Sequence, residues 1–320
     1  MRRPESALAA LLAGLWLAPA TALADEAPGD AGFAVRDPVL AKLQILDRSP
    51  ADDDPAPLWD RRDATLQAAV EAALVRLELS DDVRDRDLSV VLVDITEVDE
   101  PKVAAVNGDL MLYAASLPKI AVLLAVFDRV AAGELVLDAE TQSLLEHMIR
   151  DSSNGASTEL MHRVGKEKIA DVLLSPRYRL YDPRHNGGLW VGKDFARSGL
   201  WRRDPLHNLS HGATAMQVAR FYYLLETGYL VSPEHSRKMK AILADTHLNH
   251  KFMGTLSRVN PNARVFRKSG SWRTFHSDSV LVRHGQRGYI AVALSDDPKG
   301  AQWLAEIIWE LNELIFPSSS

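Results

Sequence analysis

Apolar and polar positions along this chain repeat with two different periods, and the changes of period divide it into elements. Leu66, Val70, Ala73, Leu74 and Leu77 recur at helical spacing and predict a helix from about Asp60 to Leu79. The period then shortens. Leu88-Ser89-Val90-Val91-Leu92-Val93-Asp94-Ile95 is β-branched and mostly apolar, and Val103-Ala104-Ala105-Val106 runs into Asn107-Gly108, so two strands are predicted, the second closing in a turn. From Ile120 to Val130 the run is apolar nearly all round, which marks a buried helix, and Pro118 sets its start because proline is tolerated only in a first helical turn. Helical spacing returns over residues 139–174, broken at Asp151 to Gly155, and again from Ala213 to Leu225; Arg177 to Gly212 between them is long and irregular.

After residue 260 the strand period comes back in Ala263–Lys268, Asp278–Arg283 and Gly288–Leu294, an antiparallel meander. A last helix, Ala301 to Phe316, carries Trp303, Leu304, Ile307, Ile308, Leu311 and Ile315 on one face. Two strands early and three late, with helices at both ends and between, predict an α+β fold. One sheet is assembled from both ends of the chain (58–115 plus 260–316), a helical lobe (116–259) is inserted, and the seam between lobes is the place for a site.

The first residues read as an address rather than as structure. Arg2 and Arg3 precede an apolar stretch from Leu8 to Ala18, and Ala22-Leu23-Ala24 has the small-x-small form of a cleavage site, so export to the periplasm or beyond, with cleavage after Ala24, is expected. Residues 25–57 are rich in Ala, Asp and Pro and read as a linker. The formal charge of −6 becomes one unit more negative once the two arginines and one glutamate of the leader are removed, which disfavours nucleic acid or an anionic membrane as partner. The absence of cysteine excludes a lipid-anchored mature N-terminus, a disulfide framework and a thiolate nucleophile. A monomer acting on a small molecule, without cofactor, is the expectation.

The candidate chemistry begins at Ser116-Leu117-Pro118-Lys119. Residues three apart on a helix share a face, so Lys119 Nζ is expected near Ser116 Oγ, and burial among apolar neighbours would leave the amine partly neutral and able to take the serine proton. Two further short motifs follow in the order an acyl-transfer enzyme needs. Ser152-Ser153-Asn154 lies at the break between two helices, and Lys268-Ser269-Gly270 ends a strand. Each has a bland reading as a helix cap or an edge-strand turn. Their joint occurrence, each in the right kind of element, is what carries weight.

With these three motifs the chain resembles the penicillin-recognising serine hydrolases, closest to the class A β-lactamases, over roughly Ala64 to Ile315. The resemblance implies the β-lactamase/transpeptidase-like fold: an antiparallel sheet flanked by N- and C-terminal helices, with an inserted all-α lobe. It makes Ser116 the acylated nucleophile, Lys119 its base, Ser152 the proton relay to the leaving nitrogen and Asn154 a ligand of substrate and lysine. Lys268 and Ser269 would hold a substrate carboxylate. Gly270 would let the strand approach, and the N–H groups of Ser116 and Ser271 would form the oxyanion hole. The implied function is β-lactam hydrolysis through an acyl-enzyme, with antibiotic resistance as its consequence. The alternatives are a D-alanyl peptidase or transpeptidase of peptidoglycan, and a non-catalytic β-lactam-binding relative.

One part of the family pattern is altered. Class A enzymes deacylate with a glutamate in a Glu-Pro-x-x-Asn loop, and here Asp204-Pro205-Leu206-His207-Asn208 offers the shorter aspartate, with Asp182-Pro183-Arg184-His185-Asn186 as a second match. Asp204 is the expected catalytic member, with Asn208 binding substrate. Trp272, Arg273, His276 and Arg283 are further candidates for substrate contact. The ten histidines include His247-x-x-His250 and His207-x-x-x-His211, but no His-Glu-x-x-His helix, so no metal is expected.

Overall fold

The sheet at the centre is buried on both faces, which explains why its strands read as nearly continuous apolar runs rather than as a clean alternation. In the computed structural model, residues 56–244 and 246–317 are described; the leader and most of the expected linker lie outside them. The strands are β1 (Leu88–Asp94), β2 (Lys102–Val106), β3 (Leu112–Tyr113), β4 (Tyr181–Asp182), β5 (Gly187–Gly188), β6 (Trp190–Val191), β7 (His211–Ala213), β8 (Arg264–Trp272), β9 (Phe275–His284) and β10 (Arg287–Asp296). Five of them form the main sheet, in the order β2-β1-β10-β9-β8, all neighbours antiparallel. The early pair and the late meander thus meet through β1 and β10, and β8 is left as a free edge.

Successive side chains on a strand face opposite sides. Val90 and Leu92 of β1, with Val280, Val282, Tyr289, Ala291 and Ala293, pack on the helices Ala64–Arg76, Lys251–Val259 and Gly300–Ile315. Val91 and Val93, with Leu281, Ile290, Val292 and Leu294, face the helices Lys119–Ala131 and Ala215–Thr227 and the remainder of the helical lobe. The Lys119–Ala131 helix is buried from Lys119 to Phe127 without interruption. Each fully buried Leu, Ile, Val or Phe in it stabilises the fold by roughly 1.5–3 kcal/mol relative to exposure.

Differences from the sequence reading have local causes. The first long helix starts at Ala64 because Asp63 caps it, its carboxylate accepting from Leu66 N at 2.8 Å. The residues before it form a separate short 3-10 turn, Leu58–Arg61. Ala56, assigned to the linker, is fully buried, and its carbonyl accepts from Arg220 Nε at 3.0 Å. Gly165, at φ 89°, adds a second break to the helical stretch after residue 139. The helices Pro233–Leu243 and Lys251–Val259 were not foreseen, although Ser232 before Pro233 is an N-cap signature. Within the irregular stretch, β6 and β7 join β3 in a small sheet directly preceding Ser116.

Candidate active site

Ser116 sits at the turn that opens the Lys119–Ala131 helix, after Ala115 in a left-handed conformation (φ 51°). Lys119 N bonds to Ser116 O at 3.3 Å, which places the two side chains one turn apart. Lys119 is fully buried, and its Nζ reaches the second motif: Ser152 O at 2.6 Å, Asn154 Oδ1 at 2.9 Å and Ser152 Oγ at 3.4 Å. Burial lowers its pKa to about 7. A neutral amine has two N–H groups and one lone pair; the two shortest contacts accept both N–H groups, so the lone pair remains for a hydroxyl proton.

Ser152 occupies the break between the helices Ala139–Arg150 and Asn154–Val164 with φ 57°. Ser153, not Ser152, caps the second of these helices, accepting from Ala156 N at 3.2 Å. Capping by the neighbour frees the Ser152 hydroxyl to face the two lysines. Lys268 Nζ, fully buried, stands 2.8 Å from Ser152 Oγ and 2.9 Å from Ser269 O. Burial, then the charges of Lys119 and Arg267, hold Lys268 well below the ordinary lysine range. All three motifs, from segments far apart in the chain, therefore meet around one hydroxyl.

The third motif is brought up by β8. Arg267 behind it makes a buried two-pronged ion pair with Asp278, Nε to Oδ1 at 2.9 Å and the terminal nitrogen to Oδ2 at 2.7 Å. Gly270 passes so close to the nucleophile's backbone that a Cβ there would lie 2.3 Å from Ala114 O and 2.7 Å from Ser116 N. Ser277, opposite Gly270 on β9, bonds to Ala114 O through its hydroxyl at 2.9 Å and joins the strand pair to the segment carrying Ser116. Ser269 is buried, whereas Ser271 is exposed at the end of the strand, its hydroxyl 3.3 Å from His276 Nδ1.

The loop candidates are placed differently. The Asp204 carboxylate, expected to position water, accepts from the Tyr181 hydroxyl, from His207 N at 2.5 Å and from Leu206 N at 3.4 Å. It is the acceptor that holds its own turn, as Asp-x-x turns commonly require. Asn208 is exposed with φ 57°, its N–H bonded to Asp204 O at 2.9 Å. Asp182 pairs with Arg184 at 2.6 Å. The side chain over the Lys119 ammonium is Phe195, with 4.8 Å from Nζ to the ring centroid. Asp194 beside it is bound by Lys166 at 2.7 Å and His162 at 3.3 Å.

Of the remaining candidates, Trp272 and Arg273 form the exposed tip of the β8–β9 hairpin, the guanidinium 5.7 Å from the indole centroid. Arg283 lies at the other end of β9, opposite Arg264, paired with Glu226 at 2.7 Å. The histidine pairs do not converge: His247 bonds to Asp151, His250 lies against Arg267, His207 faces Asn186 O, and buried His211 reaches Lys193 O. Phe195, Lys251 and Ser277 went unnoticed in the sequence, since none stands in a short motif. An isolated lysine at the start of an apolar helical turn, Lys251-Phe252-Met253, is the one signal that was there to read.

The model of the β-lactamase enzyme family matches residues 76–143 and 139–316. A comparison with curated proteins returned no match. Among solved structures, a β-lactamase from Sphaerobacter thermophilus is 20% identical with a TM-score of 0.59, the match covering 77% of this chain and 97% of that one. A class A β-lactamase from Bacteroides cellulosilyticus is 18% identical at a TM-score of 0.59, covering 78% and 96%. A PBP-A mutant in an acyl-enzyme complex with penicillin G is 16% identical at a TM-score of 0.59, covering 79% and 97%. The chain belongs to the β-lactamase enzyme family, the penicillin-recognising serine hydrolases.

Proposed function

We propose that the protein is an exported serine hydrolase that opens β-lactam amides through an acyl-enzyme on Ser116. The observation that supports this most is the hydrogen-bonded run from Lys119 through Ser152 to Lys268, an amine, a hydroxyl and a second amine, with Lys119 one helical turn after the candidate nucleophile. In this reading neutral Lys119 takes the Ser116 proton as Oγ bonds to the lactam carbon. The N–H groups of Ser116 and Ser271 receive the oxyanion. When the carbon–nitrogen bond breaks, Ser152 gives its proton to the departing nitrogen and regains one from the Lys119 ammonium, so the proton count closes. Lys268 donates to the Ser152 hydroxyl and fixes its orientation, and with Ser269 it is the candidate donor to a substrate carboxylate.

Release of the acyl group requires an activated water. Phe195 rather than a carboxylate covers Lys119, and both Asp-Pro carboxylates are bonded within their own turns. That arrangement favours slow deacylation and so a second reading, a D-alanyl peptidase or transpeptidase that the antibiotic traps. The intact mass of the mature protein, followed in time after addition of penicillin G, separates the readings. A Ser116 adduct that decays within a turnover supports hydrolysis, an adduct that persists supports the second reading, and no adduct removes both. Export is tested by the N-terminal sequence of the protein recovered from the periplasm, which should begin at Asp25.

A further inference from the structure

We propose that Lys251 is a positioning residue for the oxyanion hole: its buried ammonium grips the carbonyl of Gly270 and so orients and polarises the peptide whose N–H, that of Ser271, receives the oxyanion. The inference rests on the acyl-enzyme reading above and adds to it a group outside the three motifs.

Lys251 opens the helix that packs behind β9, with a left-handed φ of 50°, and is nearly fully buried. Its Nζ donates to Gly270 O at 2.5 Å and to Ser277 O at 3.1 Å. These two residues stand opposite one another in the β8–β9 register. In an antiparallel pair the facing residues point their carbonyls either both into the gap between strands or both away from it. A single ammonium touches both oxygens only in the first case, so the Gly270 carbonyl points toward β9. A trans peptide sets its N–H opposite its carbonyl. The Ser271 N–H therefore points out of the sheet's free edge, next to the sheet face on which a Cβ at Gly270 would meet Ser116 N and Ala114 O.

A cation on the carbonyl oxygen draws electron density from the amide and makes the N–H on its other side a stronger donor, as hydrogen bonds in a chain polarise one another. The neighbouring Asp278 carboxylate does not draw the ammonium away from the carbonyls, since Arg267 holds it on both oxygens. Burial lowers the Lys251 pKa only to about 8, so at pH 7 the group is mostly the ammonium, and no water screens it from the peptide. The same contact fixes the hole from the other side. Ser277 Oγ, on the residue whose carbonyl Lys251 also holds, ties β9 to Ala114 O, two residues before the nucleophile. Lys251 thus sets the distance between the two N–H groups as well as the strength of one.

The test uses the mature protein with Lys251→Met, which keeps the stem and removes the charge, and Lys251→Arg, which restores a cation. Acylation by penicillin G is timed by quenched-flow mass spectrometry, and the ester carbonyl of the acyl-enzyme is followed by isotope-edited infrared spectroscopy. Lys251→Met should acylate about tenfold more slowly, a fraction of the loss expected when a donor is removed outright. The substrate's pre-acylation Kd should stay unchanged, the carbonyl stretch should move to higher frequency, and Lys251→Arg should recover both. A folded Lys251→Met with wild-type acylation and an unmoved stretch overturns the proposal. Should the wild type form no adduct, the acyl-enzyme reading fails, and polarisation is still read from the Ser271 amide proton by NMR. An upfield shift in Lys251→Met supports the proposal and no shift overturns it. If Lys251→Met does not fold, Lys251→Gln, uncharged and still able to donate, carries the same measurements.

Discussion

Lys268 Nζ stands 2.8 Å from Ser152 Oγ, although the two residues are 116 positions apart. The hydroxyl is shared with Lys119 at 3.4 Å on its other side. A hydroxyl held between two amines is oriented by one and recharged by the other. Ser152→Ala should therefore lower acylation by about a hundredfold or more, the usual contribution of a positioned proton donor. Lys268→Ala should fall by a similar factor, and the double variant by little more than either, since both act on one proton. Stopped-flow nitrocefin measurements on the three variants check this; additive losses would show that Lys268 works on substrate binding alone.

The acid limb of the pH profile follows from Lys119. Its ammonium is lowered to about 7 by burial, and only the neutral amine accepts the Ser116 proton. The active fraction consequently rises with pH, and acylation should climb about tenfold between pH 6 and pH 8 before levelling. In Lys119→Ala that limb should vanish with the rate itself. Acylation rates across the range, measured with one penicillin, give the apparent pKa.

The position of Phe195 bears on deacylation. The ring lies over Lys119, and Asp204 is committed to its turn and to Tyr181. Asp204→Asn should leave the lifetime of the acyl-enzyme unchanged while lowering stability by about 1–3 kcal/mol, the cost of weakening a buried acceptor. Phe195→Glu, which introduces a carboxylate beside the lysine, should shorten that lifetime. Time-resolved mass spectrometry of the adduct, with thermal unfolding alongside, reads both effects.

The placement of these residues also shows where the sequence was readable. Periodicity found the five strands of the sheet and the buried Lys119–Ala131 helix because burial on a face leaves a regular apolar mark. The three motifs could be placed because each combines a distinctive residue type with an element boundary. Asp204 is ambiguous in the sequence for a physical reason: Asp-Pro starts a turn by bonding its own backbone, as this carboxylate does with His207 N, and that use is indistinguishable in sequence from a catalytic one. Phe195 and Lys251 act through contacts with residues 76 and 19 positions away, respectively, and no local pattern records such pairings. The short strands β3, β6 and β7, of two or three residues, were too brief to show a period.

Gly270 carries the most direct test of the geometry. A methyl group there would meet Ala114 O at 2.3 Å, Ser116 N at 2.7 Å and Ser277 Oγ at 2.8 Å. Two of these are backbone atoms, which do not swing aside as a side chain does, so the strand or the turn carrying Ser116 must move. Overpacking of this kind costs about 1–3 kcal/mol. The functional loss should be the larger effect, because separating β8 from Ser116 pulls apart the two N–H donors, and losing one such donor costs about a hundredfold or more in rate. Gly270→Ala should thus retain a cooperative unfolding transition at a lower Tm, while its acylation by penicillin G drops by at least that factor. A variant that acylates at the wild-type rate would mean that the close passage of β8 is not what aligns the hole.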